Sequence, residues 1–61
     1  MGQAVSKAKQ IQEDVICIGS INKIDFTFSC IENLEKFLQF LNEDRWYYEY
    51  VNREKFSVRV R

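Results

Sequence analysis

The spacing of apolar residues changes several times along the chain, and each change marks an element. Residues 1–14 (MGQAVSKAKQIQED) are polar, with Ala4, Ala8 and Ile11 at helical spacing and Val5 beside them. So thin a stripe predicts either a short docked helix or a mobile arm, because a segment of this length does not hold a helix without tertiary support. Val15 to Ile18 is rich in β-branched residues, Gly19 to Lys23 carries turn residues, and Ile24 to Phe28 alternates apolar with polar. This pattern predicts a β-hairpin, with Ile24, Phe26 and Phe28 on one face and Asp25, Thr27 and Ser29 on the other.

Ser29-Cys30-Ile31-Glu32 then has the S-x-x-E form of a capping box, in which two side chains satisfy backbone donors at a helix start. Ile31, Leu34, Phe37, Leu38 and Leu41 recur on one helical face, with Glu32, Glu35, Lys36 and Gln39 opposite. Phe40 lies off that stripe, where it either widens the buried face or meets a partner. The helix is expected to stop around Asn42 to Asp44. Arg45 to Val51 and Phe56 to Val60 follow as a second strand pair around Asn52 to Lys55. The expected fold is a single α+β domain over 15–61, β-β-α-β-β, with one helix packed on a mostly antiparallel sheet and the arm 1–14 before it.

Composition changes this picture in three ways. Hydrophobic residues make up 46% and aromatic residues 15%, enough to drive folding, but 61 residues leave little stability in reserve. A chain this short often completes its core against a second copy, which makes a homodimer one expected partner. Nine basic and nine acidic residues cancel, so the electrostatic footprint of a general nucleic-acid binder is missing. Abundant Ile, Lys, Asn, Glu and Phe with scarce Ala and no Pro suit an AT-rich coding sequence, of the kind found in low-GC bacteria, their phages and several eukaryotic viruses.

The residues also argue against catalysis. Without histidine the chain lacks the commonest general base at neutral pH and the commonest metal ligand. Cys17 and Cys30 stand far apart with no ligand pair beside them, so no zinc spacing exists and no metal or cofactor is expected. With no signal-peptide pattern, both cysteines are read as reduced, buried, small apolar residues of a cytoplasmic protein. Glu13 with Asp14 and Glu43 with Asp44 read as solvated charge clusters. No catalytic residue is assigned.

Two features point to binding. Arg45-Trp46-Tyr47-Tyr48-Glu49-Tyr50-Val51 faces Phe56-Ser57-Val58-Arg59-Val60-Arg61, and the register decides what shares a face. A three-residue loop sets Tyr50 against Phe56, Tyr48 against Val58 and Trp46 against Val60, burying the aromatics. Tyr47, Val51, Arg59 and Arg61 then form an exposed strip suited to a protein partner. An even loop instead puts Trp46 and Tyr48 with Arg59 and Arg61, a stacking surface for single-stranded nucleic acid that zero net charge disfavours.

The second feature is Met1-Gly2-Gln3-Ala4-Val5-Ser6, followed by Lys7 and Lys9, which fits the N-myristoylation pattern M-G-x-x-x-[ST]. These nine residues resemble the N-termini of myristoylated Src-type kinases and retroviral matrix proteins. The resemblance implies acylation at Gly2 and attachment to the inner face of a membrane, with two lysines toward anionic head groups. The sequence therefore supports a non-enzymatic module that binds and modulates or inhibits a larger protein. An acylated adaptor and a single-strand binder are the alternatives.

Overall fold

The computed structural model describes residues 2–19 and 22–61. Its elements are α1 (Gly2–Ile11), β1 (Ile16–Gly19), β2 (Ile24–Thr27), α2 (Ile31–Glu43), β3 (Tyr48–Asn52) and β4 (Ser57–Val60). The four strands form one antiparallel sheet in the order β1-β2-β4-β3. This is the expected α+β architecture, and of the two readings of the N-terminal segment the structure shows the docked helix. Ala4 and Ala8 have no exposed surface and join the same core as Phe26, Phe28, Leu34, Phe37, Leu41, Val58 and Val60. Alanine at i and i+4 gives α1 a flat stripe that lets its backbone approach closely.

Two features of α2 depart from the sequence pattern, and a third settles an alternative that the pattern left open. The capping box does not form: Cys30 is the N-cap residue and makes no side-chain cap bond. Ser29 instead donates from its amide and hydroxyl to Gln12 Oε1 (2.9 and 3.0 Å), which also accepts from Asn33 Nδ2 at 3.0 Å. Gln12, just past α1, thus ties the two helices together. Second, Ile31 is 48% exposed although it lies on the expected stripe, since it is the first residue of the helix and overhangs the core. Third, Phe40 widens the buried face, packing toward Phe37 with ring centroids 6.2 Å apart and lying under Lys7 Nζ at 5.8 Å.

The end of α2 is closed by a Schellman arrangement. Arg45 N–H donates to Asn42 O (3.2 Å) and Trp46 N–H to Leu41 O (2.8 Å), with Arg45 in the left-handed region at φ 60°. Trp46 consequently belongs to the helix terminus and not to β3, packed half-buried against the core.

In the second hairpin the expected register is displaced by two residues. Tyr48 pairs with Val60, Glu49 with Arg59 and Tyr50 with Val58, and a bulge at Val51 precedes the pairing of Asn52 with Ser57. The cause is a longer turn, Arg53 to Phe56, combined with the Val51 bulge. Asn52 Oδ1 accepts from the amides of Glu54 (3.0 Å) and Lys55 (3.2 Å), and Phe56 takes φ 56° before the chain re-enters β4. A shift of two preserves the side-chain faces, so Tyr48 and Tyr50 stay on the side of Val58 and Val60.

Gly19 ends β1 opposite Ile24. A Cβ there would meet the Lys23 carbonyl oxygen and lie 2.5 Å from Ile24 Cα, so the hairpin closes only with glycine. Positions 20 and 21 of the expected Gly19–Lys23 turn lie outside the described residues.

Candidate functional site

Register converts the alternation of the strands into two unlike faces. Phe26 pairs with Cys17 and Val58, and Ile24 with Gly19 and Val60, so these rows lie under the helices. The opposite face carries the row Ile18, Asp25, Arg59, Glu49 and the row Ile16, Thr27, Ser57, Asn52. The helices share the first side with the core, and the second side is an open surface.

Charge occupies the middle of that surface. Arg59 donates from Nε to Asp25 Oδ1 (2.7 Å) and from Nη2 to Asp25 Oδ2 (3.3 Å), and its Nη1 stands 3.9 Å from Glu49 Oε1. Arg61 Nη2 donates to Glu49 Oε1 at 2.8 Å. Below the ladder of charges, Thr27 Oγ1 donates to the buried Ser57 Oγ at 3.1 Å. A forked guanidinium on a carboxylate fixes both partners, so Arg59 is a structural cross-strand tie. The Arg59 hydrogen bonds hold the Asp25 carboxyl below its ordinary pKa, against a smaller opposing effect of burial. Asp25 therefore stabilises the fold above the ordinary carboxylate range, and that contribution disappears as pH falls through its lowered folded-state value. In urea titrations, wild type should exceed Asp25→Asn in stability at neutral pH, and the gap should shrink as pH falls below the ordinary carboxylate range. A gap that is constant with pH would refute the tie.

Apolar side chains flank the charges at both edges of the open surface. At the β3 edge, Tyr47, which precedes the strand, is 81% exposed and Val51 within it 46%. Tyr47, Tyr48, Glu49 and Arg61 line a shallow depression of about 310 Å³. On β1, Ile16 is 53% and Ile18 67% exposed. The sequence pattern missed these two isoleucines, because a β-branched run reads as core unless it is known that only one face of the sheet is covered.

Of the protein-binding candidates, Tyr47, Val51 and Arg61 are exposed at the β3 side as expected, whereas Arg59 is committed to Asp25 and Glu49. The nucleic-acid candidates are not brought together. Tyr48 shares the helix-covered face, where its hydroxyl donates to Asn42 Oδ1 at 3.2 Å, and Trp46 packs at the end of α2. Arg59 and Arg61 lie on the other side of the sheet, so the stacking surface of the even-loop alternative is not assembled.

Gly2 is the first residue of α1, and the removal of Met1 that acylation requires falls outside the described residues. Cys17 and Cys30 are free thiols, each half-buried and not fully buried as expected. Burial pushes the Cys17 thiol up, opposed by nearby Lys9. Among the described residues, no three His, Cys, Asp or Glu side chains come together as a metal site, and no helix is long and apolar enough to cross a membrane. No family model, curated protein or solved structure matches the chain.

Proposed function

We propose that the protein is a non-enzymatic binding module that docks on, and modulates or inhibits, a larger protein through the β3 side of its open sheet face. The observation that carries this reading is the exposure of Tyr47 and Val51 beside the Arg61–Glu49 pair. An aromatic residue and an arginine around an apolar contact are the composition of interface hot spots. The shallow depression at Tyr47 suits one partner side chain better than an enclosed substrate. In this reading the module works in the cytoplasm, and an acyl chain on Gly2 would move it to the inner face of a membrane.

Affinity capture from the native host cell provides the test, with wild type beside Tyr47→Ala/Val51→Ser. Both positions are exposed, so the variant should fold as wild type does. A protein held by wild type at least tenfold better than by the variant is the expected result. Identical captured sets would overturn the proposal.

A further inference from the structure

The two edges of the sheet are not alike. Phe28 N–H donates to Phe56 O at 3.0 Å, and Arg61 N–H donates to Tyr47 O at 3.0 Å. Ladder bonds alternate sides along an antiparallel strand, so the even-numbered residues of β2 and β4 bond each other and the odd-numbered ones bond outward. Asp25 and Thr27 thus bond Ile18 and Ile16, which turns the backbone groups of Cys17 and Gly19 toward the free edge of β1. By the same alternation Tyr48 and Tyr50 face the free edge of β3.

Natural edges are blunted by charge, proline or a bulge. The β3 edge has such protection: the ladder is interrupted at Val51, and the Arg53 guanidinium lies 4.5 Å from the Tyr50 ring centre. Among the described residues the β1 edge has none, since Val15 to Gly19 carries neither charge nor proline. Its two outward side chains on the open face are the exposed Ile16 and Ile18.

From this we infer that the β1 edge pairs antiparallel with β1 of a second copy, joining two sheets into one of eight strands. With Cys17 on the two-fold axis, Cys17 of each copy exchanges backbone bonds with Cys17 of the other. Ile16 then opposes Ile18 of the second copy, twice, in the non-hydrogen-bonded positions where side chains come closest. Charge selects the same arrangement. Exposed Glu13 and Asp14 precede β1, and exposed Lys23 stands at its far end beside the Gly19–Ile24 pair. Antiparallel pairing sets the acidic end of each copy against the basic end of the other, and the two-fold closes the assembly. Pairing of β1 with a β3 edge would be head-to-tail and open-ended, and the Val51 bulge opposes it.

The inference deepens the binding-module reading by naming one partner, yet it uses the edge opposite Tyr47. A four-residue edge buries less than the ~800 Å² per partner of a standard interface, so dimerisation should depend on concentration in the range of tens to hundreds of micromolar. Sedimentation of the purified full chain should show the mass rising from 7.3 kDa toward twice that value with concentration. Over the same range the Cys17 and Gly19 amides should gain at least tenfold protection from hydrogen exchange. Ile18→Lys should remain monomeric with an unchanged circular dichroism spectrum, and Ile16→Lys serves if that variant fails to fold. Tyr47→Ala should dimerise as wild type does, which separates failure of this inference from failure of the docking proposal. Three results would overturn it: wild type monomeric to about 1 mM, a folded Ile18→Lys that dimerises equally well, or a dimer without added protection at Cys17 and Gly19.

Discussion

Phe37→Ala is expected to unfold much of the population at 25 °C. The Phe37 ring lies 4.8 Å from Phe26, 5.2 Å from Phe28 and 6.2 Å from Phe40, centre to centre, and it has no exposed surface. Truncating such a ring costs about 3–5 kcal/mol, as much as a single core of this size supplies in total. Phe37→Leu keeps most of the volume and should cost less than about 2 kcal/mol. Ile31→Ala, on the same helical stripe but half-exposed, should stay within about 1 kcal/mol of wild type. Urea titration followed by circular dichroism and Trp46 emission measures all three. Equal losses at positions 31 and 37 would show that the helical stripe, and not the observed packing, describes the core.

That comparison also shows where sequence reasoning succeeds. Periodicity is a one-dimensional record of which side is buried, so it locates α2 and places Phe26, Phe28, Leu34, Phe37 and Leu41 in the core. It does not record where a helix overhangs its sheet, which is why Ile31 escapes it. The Ser29–Glu32 box fails for a related reason. A capping box is a local bond, and at Ser29 it loses to Gln12, which approaches from the end of α1, seventeen residues away in sequence.

At the candidate site, parity was legible and position was not. Alternation puts Tyr48 and Tyr50 with Val58 and Val60 for any odd loop; the turn between the paired Asn52 and Ser57 is even, Arg53 to Phe56, and the bulge at Val51 restores that grouping. The shift of two arises from the Asn52 turn and from Phe56 at positive φ, a conformation that a bulky aromatic residue rarely announces. Ile16 and Ile18 were hidden because a run of β-branched residues looks the same whether one face of its sheet is covered or both. Arg59 looked like a free guanidinium until β2 was placed beside β4, bringing Asp25 within 2.7 Å. Strand order, which a single sequence does not contain, made that difference.

Ala8→Glu is expected to release α1. Ala8 has no exposed surface, so a carboxylate there would lose its water without a partner, at a cost of several kcal/mol. Undocking avoids that cost but gives up the burial of Ala4, Ala8, Val5 and Ile11, so either route should remove roughly 3 kcal/mol or more. Ten residues do not sustain a helix alone, so the amides of α1 should lose protection from hydrogen exchange and the helical signal should fall. Ser6→Glu on the exposed side of α1 is the control and should change stability by no more than about 0.5 kcal/mol. The pair of variants separates a helix that is part of the core from an arm that only lies against it. An Ala8→Glu protein that melts with wild type and keeps its α1 protection would show the second. A large loss confined to Ala8→Glu would establish that residues 2–11 complete the core.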